Sequence, residues 1–220
     1  MLKTKPSFEF QNNLLKNITD INQKYIIGID EVGRGPLAGD VFACAVYINE
    51  NNFSDHLLNK IDDSKKISEL KRENLFEEFI DNKNIHYGIG RVSVEVIDKI
   101  NILQATFIAM KEAYENLRNK LSIGNDKTFV LVDGNIAPFK DINNIKCIVK
   151  GDSLSISIAT ASIIAKVTRD RYMRELSKQF PEYRFDKNKG YGTKSHIEAI
   201  KKFGFCKIHR KSFLNKVLKN

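Results

Sequence analysis

Residues 25–39 read Tyr25-Ile26-Ile27-Gly28-Ile29-Asp30-Glu31-Val32-Gly33-Arg34-Gly35-Pro36-Leu37-Ala38-Gly39, and the fold follows from how that stretch divides. Its first seven residues are an Ile-rich apolar run closing on two adjacent carboxylates, as a buried strand does where it meets solvent. Glycine and proline punctuation at residues 33–39 stops the run, and a second one, rich in Val and aromatic residues, follows at 41–48. The short spacer favours an antiparallel hairpin with a wide loop over a crossover helix.

Outward from this hairpin the periodicity changes. Residues 68–80 carry Leu70, Leu75, Phe76, Phe79 and Ile80 at helical spacing behind Ser68, a good cap, and residues 85–92 read as a strand. Residues 102–121, with Ala105, Ile108, Ala109, Ala113 and Leu117, predict a long amphipathic helix. Residues 128–132 form a short apolar run ending abruptly in Asp133-Gly134, as a central strand buried on both faces would, and 145–149 predict a further strand. The strongest helix is expected over 153–176, where Ala159, Ala161, Ser162 and Ala165 permit close packing on a sheet. After Pro181 the chain turns irregular and basic, with a helix expected at 195–203. A strand hairpin followed by alternating strands and helices predicts an α/β fold: a mixed sheet flanked by helices, with a C-terminal helical extension. The division expected is a catalytic domain over 22–180 and a basic extension over 181–220 packed on it.

Of the 220 residues 42% are hydrophobic, enough for one compact domain, and no apolar run approaches the ~20 residues of a membrane span. The formal net charge is +9, and residues 201–220 hold Lys201, Lys202, Lys207, Arg210, Lys211, Lys216 and Lys219 with no acid, which points to a polyanion partner. Phe203, Phe205, Ile208, Phe213, Leu214, Val217 and Leu218 interleave with those charges and predict that the segment packs. Cys44, Cys147 and Cys206 are dispersed and form no C-x-x-C pair, so neither a disulfide framework nor a thiolate zinc site is implied. Residues 1–21 are polar and Asn-rich with no apolar signal core, which suggests a reducing, cytoplasmic setting.

Adjacent strand residues point to opposite faces, so Asp30 and Glu31 can approach one site only where their strand ends or bends, and Gly33 supplies such a bend. An ordinary solvated acidic pair is the competing reading. Asp133 repeats the arrangement at the end of its own strand. Asp152, in Lys150-Gly151-Asp152-Ser153, reads equally as the N-cap of the long helix and as a site carboxylate. Four such carboxylates in a basic protein form a hard oxygen donor set that suits Mg²⁺ or Mn²⁺. Residues 33–38 match G-x-G-x-x-A, but acids precede the turn and a strand follows where a dinucleotide site requires a helix. The Gly190-Tyr191-Gly192-Thr193 turn sets an aromatic ring in basic surroundings, fit to stack on a base or sugar. His56, His86, His196 and His209 look too scattered for a paired-histidine ribonuclease or a zinc site.

In order and spacing, residues 28–39, Asp63-Ser64-Lys65-Lys66, Val132-Asp133-Gly134, Gly151-Asp152-Ser153, residues 158–170 and the 207–213 stretch closely resemble ribonuclease HII. Ribonuclease HIII is related but differs in the glycine loop and carries an N-terminal domain for which the residues before Tyr25 leave no room. The resemblance implies an RNase H-like fold that cuts the RNA of RNA–DNA hybrids and nicks duplex DNA 5′ of an embedded ribonucleotide, leaving 3′-hydroxyl and 5′-phosphate ends, a reaction suited to ribonucleotide excision repair. It implies that Asp30, Glu31, Asp133 and Asp152 are the catalytic, metal-binding carboxylates, with two Mg²⁺ or Mn²⁺ ions during catalysis. It implies that the backbone of Gly33, Arg34 and Gly35 reads the 2′-hydroxyl, that Tyr191 senses the RNA-to-DNA junction, and that Lys65 contacts phosphate. The partners it implies are RNA–DNA hybrid and ribonucleotide-bearing duplex DNA. A monomer is expected, with room for a clamp protein as a partner.

Overall fold

A computed structural model describes residues 5–16, 25–139, 142 and 144–214. Five strands, β1 (Tyr25–Val32), β2 (Val41–Ile48), β3 (Ile85–Val92), β4 (Thr128–Asp133) and β5 (Ile145–Ile148), form one sheet in the order β3-β2-β1-β4-β5. The β1–β2 and β2–β3 pairs are antiparallel, whereas β1–β4 and β4–β5 are parallel. The helices are α1 (Phe8–Lys16), α2 (Asp55–Lys60), α3 (Glu69–Ile80), α4 (Val94–Ile100), α5 (Ile102–Leu121), α6 (Ile156–Gln179), α7 (Phe185–Asn188), α8 (Lys194–Phe203) and α9 (Lys211–Leu214). This is the mixed sheet flanked by helices that the sequence predicts.

The sheet is covered on both faces. Ile27 and Ile29 of β1 pack with Val130 and Val132 of β4 against α5, while Cys44 and Val46 of β2 pack against α6. Alternation puts Gly28 on the α6 face, and a Cβ there would lie 2.4 Å from the backbone of Ser157 and Ile158. Only glycine lets the first turn of α6 approach β1 that closely, and this contact fixes α6 over the end of the strand.

Several details differ from the sequence reading. Helix α6 begins at Ile156 and its cap is Ser155, whose hydroxyl accepts the Ile158 N–H; Asp152 lies earlier, in a separate 3₁₀ turn, and is not the cap. Leu70 is 71% exposed, because it sits about 140° round α3 from Leu75 and off the buried stripe formed by Leu75, Phe76 and Phe79. Ile108 is exposed for the same reason on the far side of α5, and Ile80 is exposed at the end of α3. The polar N-terminal stretch contains α1, whose buried Gln11 accepts the Ser155 hydroxyl at 2.9 Å and so ties α1 to the start of α6. In the basic end Ile208 and Leu214 are buried but Phe203 and Phe205 are exposed; Val217, Leu218, Lys216 and Lys219 lie outside the described residues. Arg210, expected to belong to a phosphate-facing charge cluster, is fully buried.

Candidate active site

Three neighbouring parallel strands end at one edge of the sheet, and each end delivers acid. Ile29 of β1 pairs with Val132 of β4, so Asp30 and Glu31 on one strand and Asp133 on the other follow directly from that register. Asp133 in turn pairs with Ile148 of β5, after which the chain turns through left-handed Lys150 into the 3₁₀ turn that carries Asp152. Clefts at the carboxyl ends of parallel strands are where α/β sheets bind ligands.

A cleft of about 500 Å³ opens here, lined among others by Asp30, Glu31, Asp133, Gly33, Arg34, Gly35, Lys65 and Tyr191. Eight of the nine predicted site residues thus face one space. The ninth, Asp152, is buried behind it, with its Oδ2 3.4 Å from the Lys65 Nζ. Ser64, Arg72, Ser162 and Lys166 also line the cleft, beyond what the sequence predicts. Ser162 and Lys166 are one turn apart on α6 and share a face, but the other polar residues of that helix, Arg169 and Asp170 among them, hide the pair in the sequence.

Each carboxylate has a local partner. Asp30 Oδ1 accepts the Glu31 N–H at 2.7 Å, Glu31 accepts from Arg34 at 3.3 Å, and Asp133 accepts the Gly151 N–H at 2.7 Å. Burial, followed by the charges of Glu31 and Asp133, holds the Asp30 carboxyl well above the ordinary range. Burial also raises Glu31 against the opposing pull of Arg34, and burial with Asp152 raises Asp133. Each shift marks anionic oxygen short of positive charge, which a bound cation would supply.

Among the described residues no three acidic, histidine or cysteine side chains already converge as a ligand set. In donor chemistry the residues fit a hard divalent cation: the acids are oxygen donors only, Asp30, Glu31 and Asp133 line one cleft, and Asp152 stands behind it.

Tyr191 is 41% exposed at the rim, and a Cβ added to Gly35 would come 3.8 Å from its ring, so loop and ring flank one opening. The Tyr191 carbonyl oxygen lies 2.9 Å from His196 Nδ1, and His196 Nε2 lies 3.1 Å from His209 Nε2. The two histidines that look scattered in sequence are a buried, directly bonded pair under the tyrosine. Their sequence separation hides this, because the chain folds α8 back against the segment that follows it.

The family model for ribonuclease HII matches residues 27–216. The chain is 48% identical to a ribonuclease HII of Caldicellulosiruptor bescii, over 96% of this chain and 95% of that protein. Among solved structures, ribonuclease HII of Archaeoglobus fulgidus, determined in complex with PCNA, superposes with a TM-score of 0.68 at 25% identity, over 86% of this chain and 95% of that one. A Bst ribonuclease HIII in complex with Mn²⁺ shares the fold, with a TM-score of 0.67 at 17% identity, over 89% of this chain and 69% of that one.

Proposed function

The chain belongs to the ribonuclease HII family and is an endoribonuclease of RNA–DNA hybrids, and we propose that it also nicks duplex DNA on the 5′ side of a single embedded ribonucleotide, leaving 3′-hydroxyl and 5′-phosphate ends. The observation that carries this reading is the placement, on one cleft, of Asp30, Glu31 and Asp133 beside the Gly33–Gly35 backbone and the Tyr191 ring. Phosphodiester chemistry and ribose recognition then occur within the same opening.

Asp30, Glu31, Asp133 and Asp152 would hold Mg²⁺ or Mn²⁺, two ions during catalysis. Bound there, such ions polarise a phosphate and lower the pKa of water. Arg34, Lys65, Arg72 and Lys166 supply the positive charge that seats the flanking phosphates. The loop at residues 33–35 offers backbone donors to the 2′-hydroxyl, the group that distinguishes RNA from DNA at one position. Tyr191 stacks on the sugar at the deoxyribonucleotide side of the junction, where a 2′-hydroxyl would obstruct the ring. Residues 22–180 act as the catalytic domain and 181–220 as the extension that presents Tyr191. The protein is taken to work as a cytoplasmic monomer in ribonucleotide excision repair. A clamp of the kind bound by the Archaeoglobus relative is the protein partner to test.

The deciding experiment uses duplex DNA with one ribonucleotide, incubated with Mg²⁺, with Mn²⁺ and with EDTA, followed by mapping of both ends. A metal-dependent nick 5′ of the ribonucleotide with a phosphatase-sensitive 5′ end is expected. A cut on the 3′ side, or a 2′,3′-cyclic phosphate product, would overturn the reading.

A further inference from the structure

The loop joining β1 to β2 is held from beneath by two fully buried arginines that come from distant parts of the chain. Arg169 of α6 donates to the carbonyl oxygens of Ala38, Asp40 and Lys189. Arg210 donates from Nε to Gly39 at 2.9 Å, from Nη1 to Arg34 at 3.0 Å and Pro36 at 2.9 Å, and from Nη2 to Gly33 and Gly39, each at 2.6 Å. All five N–H donors of the guanidinium are used, and every acceptor is a carbonyl oxygen of this loop. The backbone around Arg210 is fixed by the same loop: its N–H donates to the Leu37 carbonyl at 2.8 Å, and Gly39 N–H donates to Ile208 at 2.9 Å.

Peptide planarity gives these bonds a consequence on the opposite side of the loop. In a trans peptide the C=O of one residue and the N–H of the next point in opposite directions, and the described chain has no cis peptide. The Gly33 carbonyl is turned down onto Arg210, so the Arg34 N–H is turned up; the Arg34 carbonyl is turned down as well, so the Gly35 N–H is turned up. Residues 33–35 line the cleft, so those two donors are aimed into it.

We propose that Arg210 is the positioning residue for ribose recognition: by gripping the carbonyl oxygens of Gly33 and Arg34 it orients the Arg34 and Gly35 amides toward the 2′-hydroxyl. The proposal rests on the reading of the loop given above. Lysine cannot replace it, because a single ammonium does not span four carbonyl groups. Arg169 is the internal comparison, equally buried and also bonded to carbonyl oxygens, but holding none of residues 33–36.

The test measures binding by fluorescence anisotropy, with Ca²⁺ replacing Mg²⁺, to two duplexes identical except for one ribonucleotide. Wild type, Arg210→Gln, Arg210→Lys and Arg169→Lys are compared, each checked for folding by circular dichroism. Wild type should prefer the ribonucleotide duplex. Arg210→Gln should lose about five- to tenfold of that preference, the worth of roughly one hydrogen bond, with all-DNA affinity unchanged. Arg210→Lys should show a partial loss and carries the test if the glutamine variant does not fold. Arg169→Lys should lower the melting temperature and keep the preference. An unchanged preference in a folded Arg210 variant, or equal weakening on both duplexes, would overturn the proposal. A wild type indifferent to the ribonucleotide would instead refute the reading of the loop, and this inference with it.

Discussion

Acid should destabilise this protein through His209, by an amount set by how far burial depresses its ring. The Cys206 N–H donates to His209 Nδ1 at 2.9 Å, so that nitrogen accepts and the ring proton sits on Nε2. Nε2 then donates to His196 Nε2 at 3.1 Å, which leaves the His196 proton on Nδ1, where it donates to the Tyr191 carbonyl at 2.9 Å. This single arrangement keeps both rings neutral, and a further proton would set two N–H groups head to head. Burial, and secondarily His196, depress His209 from 6.5 to about 4, and burial lowers His196 as well. The folded pKa lies below the unfolded one. The neutral pair is therefore without penalty above pH 6.5, and stability is lost as pH falls from there toward 4, where the unfolded chain takes a proton the folded one refuses. Proton linkage with those two values gives a loss of about 2 kcal/mol at pH 5 and about 3 kcal/mol at pH 4 from His209 alone. Urea unfolding at pH 7.5 and pH 5 measures it, with His209→Asn as the non-titrating reference. The variant is less stable throughout, but its change between the two pH values should be smaller by about 2 kcal/mol. Equal changes in both proteins would refute the reasoning.

Four further outcomes are expected. Asp30→Asn and Asp133→Asn should abolish cleavage while leaving the melting temperature level or higher, because the buried Asp30 and half-buried Asp133 carboxyls both lie among like charges; Asp152→Asn should do the same, and since Ser155 caps α6, retained activity would remove Asp152 from the site. Gly33→Ala should cost about 2 kcal/mol or more, as φ is +95° and the new Cβ would lie 2.3 Å from Arg169 Nε, whereas Gly35→Ala, which meets only the Tyr191 ring at 3.8 Å, should fold normally and lose cleavage of every ribonucleotide substrate. Tyr191→Ala should lose far more activity on a single embedded ribonucleotide than on a continuous hybrid, read as a ratio of rates at one metal concentration; equal proportional losses would end its assignment to the junction. Replacing the exposed Lys201, Lys202, Lys207 and Lys211 by Gln should flatten the slope of log affinity against log salt by up to ~0.9 for each phosphate no longer neutralised, and an unchanged slope would make them bystanders.

What can be read from the sequence is what neighbouring residues decide. The hairpin, the strand at 128–132 and the helix behind Ser68 announce themselves within ten or twenty residues, through periodicity and caps. Asp30, Glu31 and Asp133 are legible because acids ending apolar runs have few places to go but the edge of a sheet. Leu70 and Ile108 defeat such reasoning because an apolar residue on a helix says nothing of its angular position until the buried stripe is known. The residues that support the site lie beyond it altogether, since the bonds of Arg210 to the glycine loop span 171 to 177 positions. In composition Arg210 is one more charge in a basic run, indistinguishable from Lys207 or Lys211. Those lysines stand in solvent, while the intervening Ile208, His209 and Arg210 turn inward against residues 37–39. A cation surrounded by water meets phosphate, and one surrounded by backbone meets carbonyl oxygen. The described charges of the basic end therefore divide into two kinds of contribution to one substrate: the exposed Lys201, Lys202, Lys207 and Lys211, which can attract any nucleic acid, and a buried arginine whose hold on the loop bears on which nucleic acid is accepted.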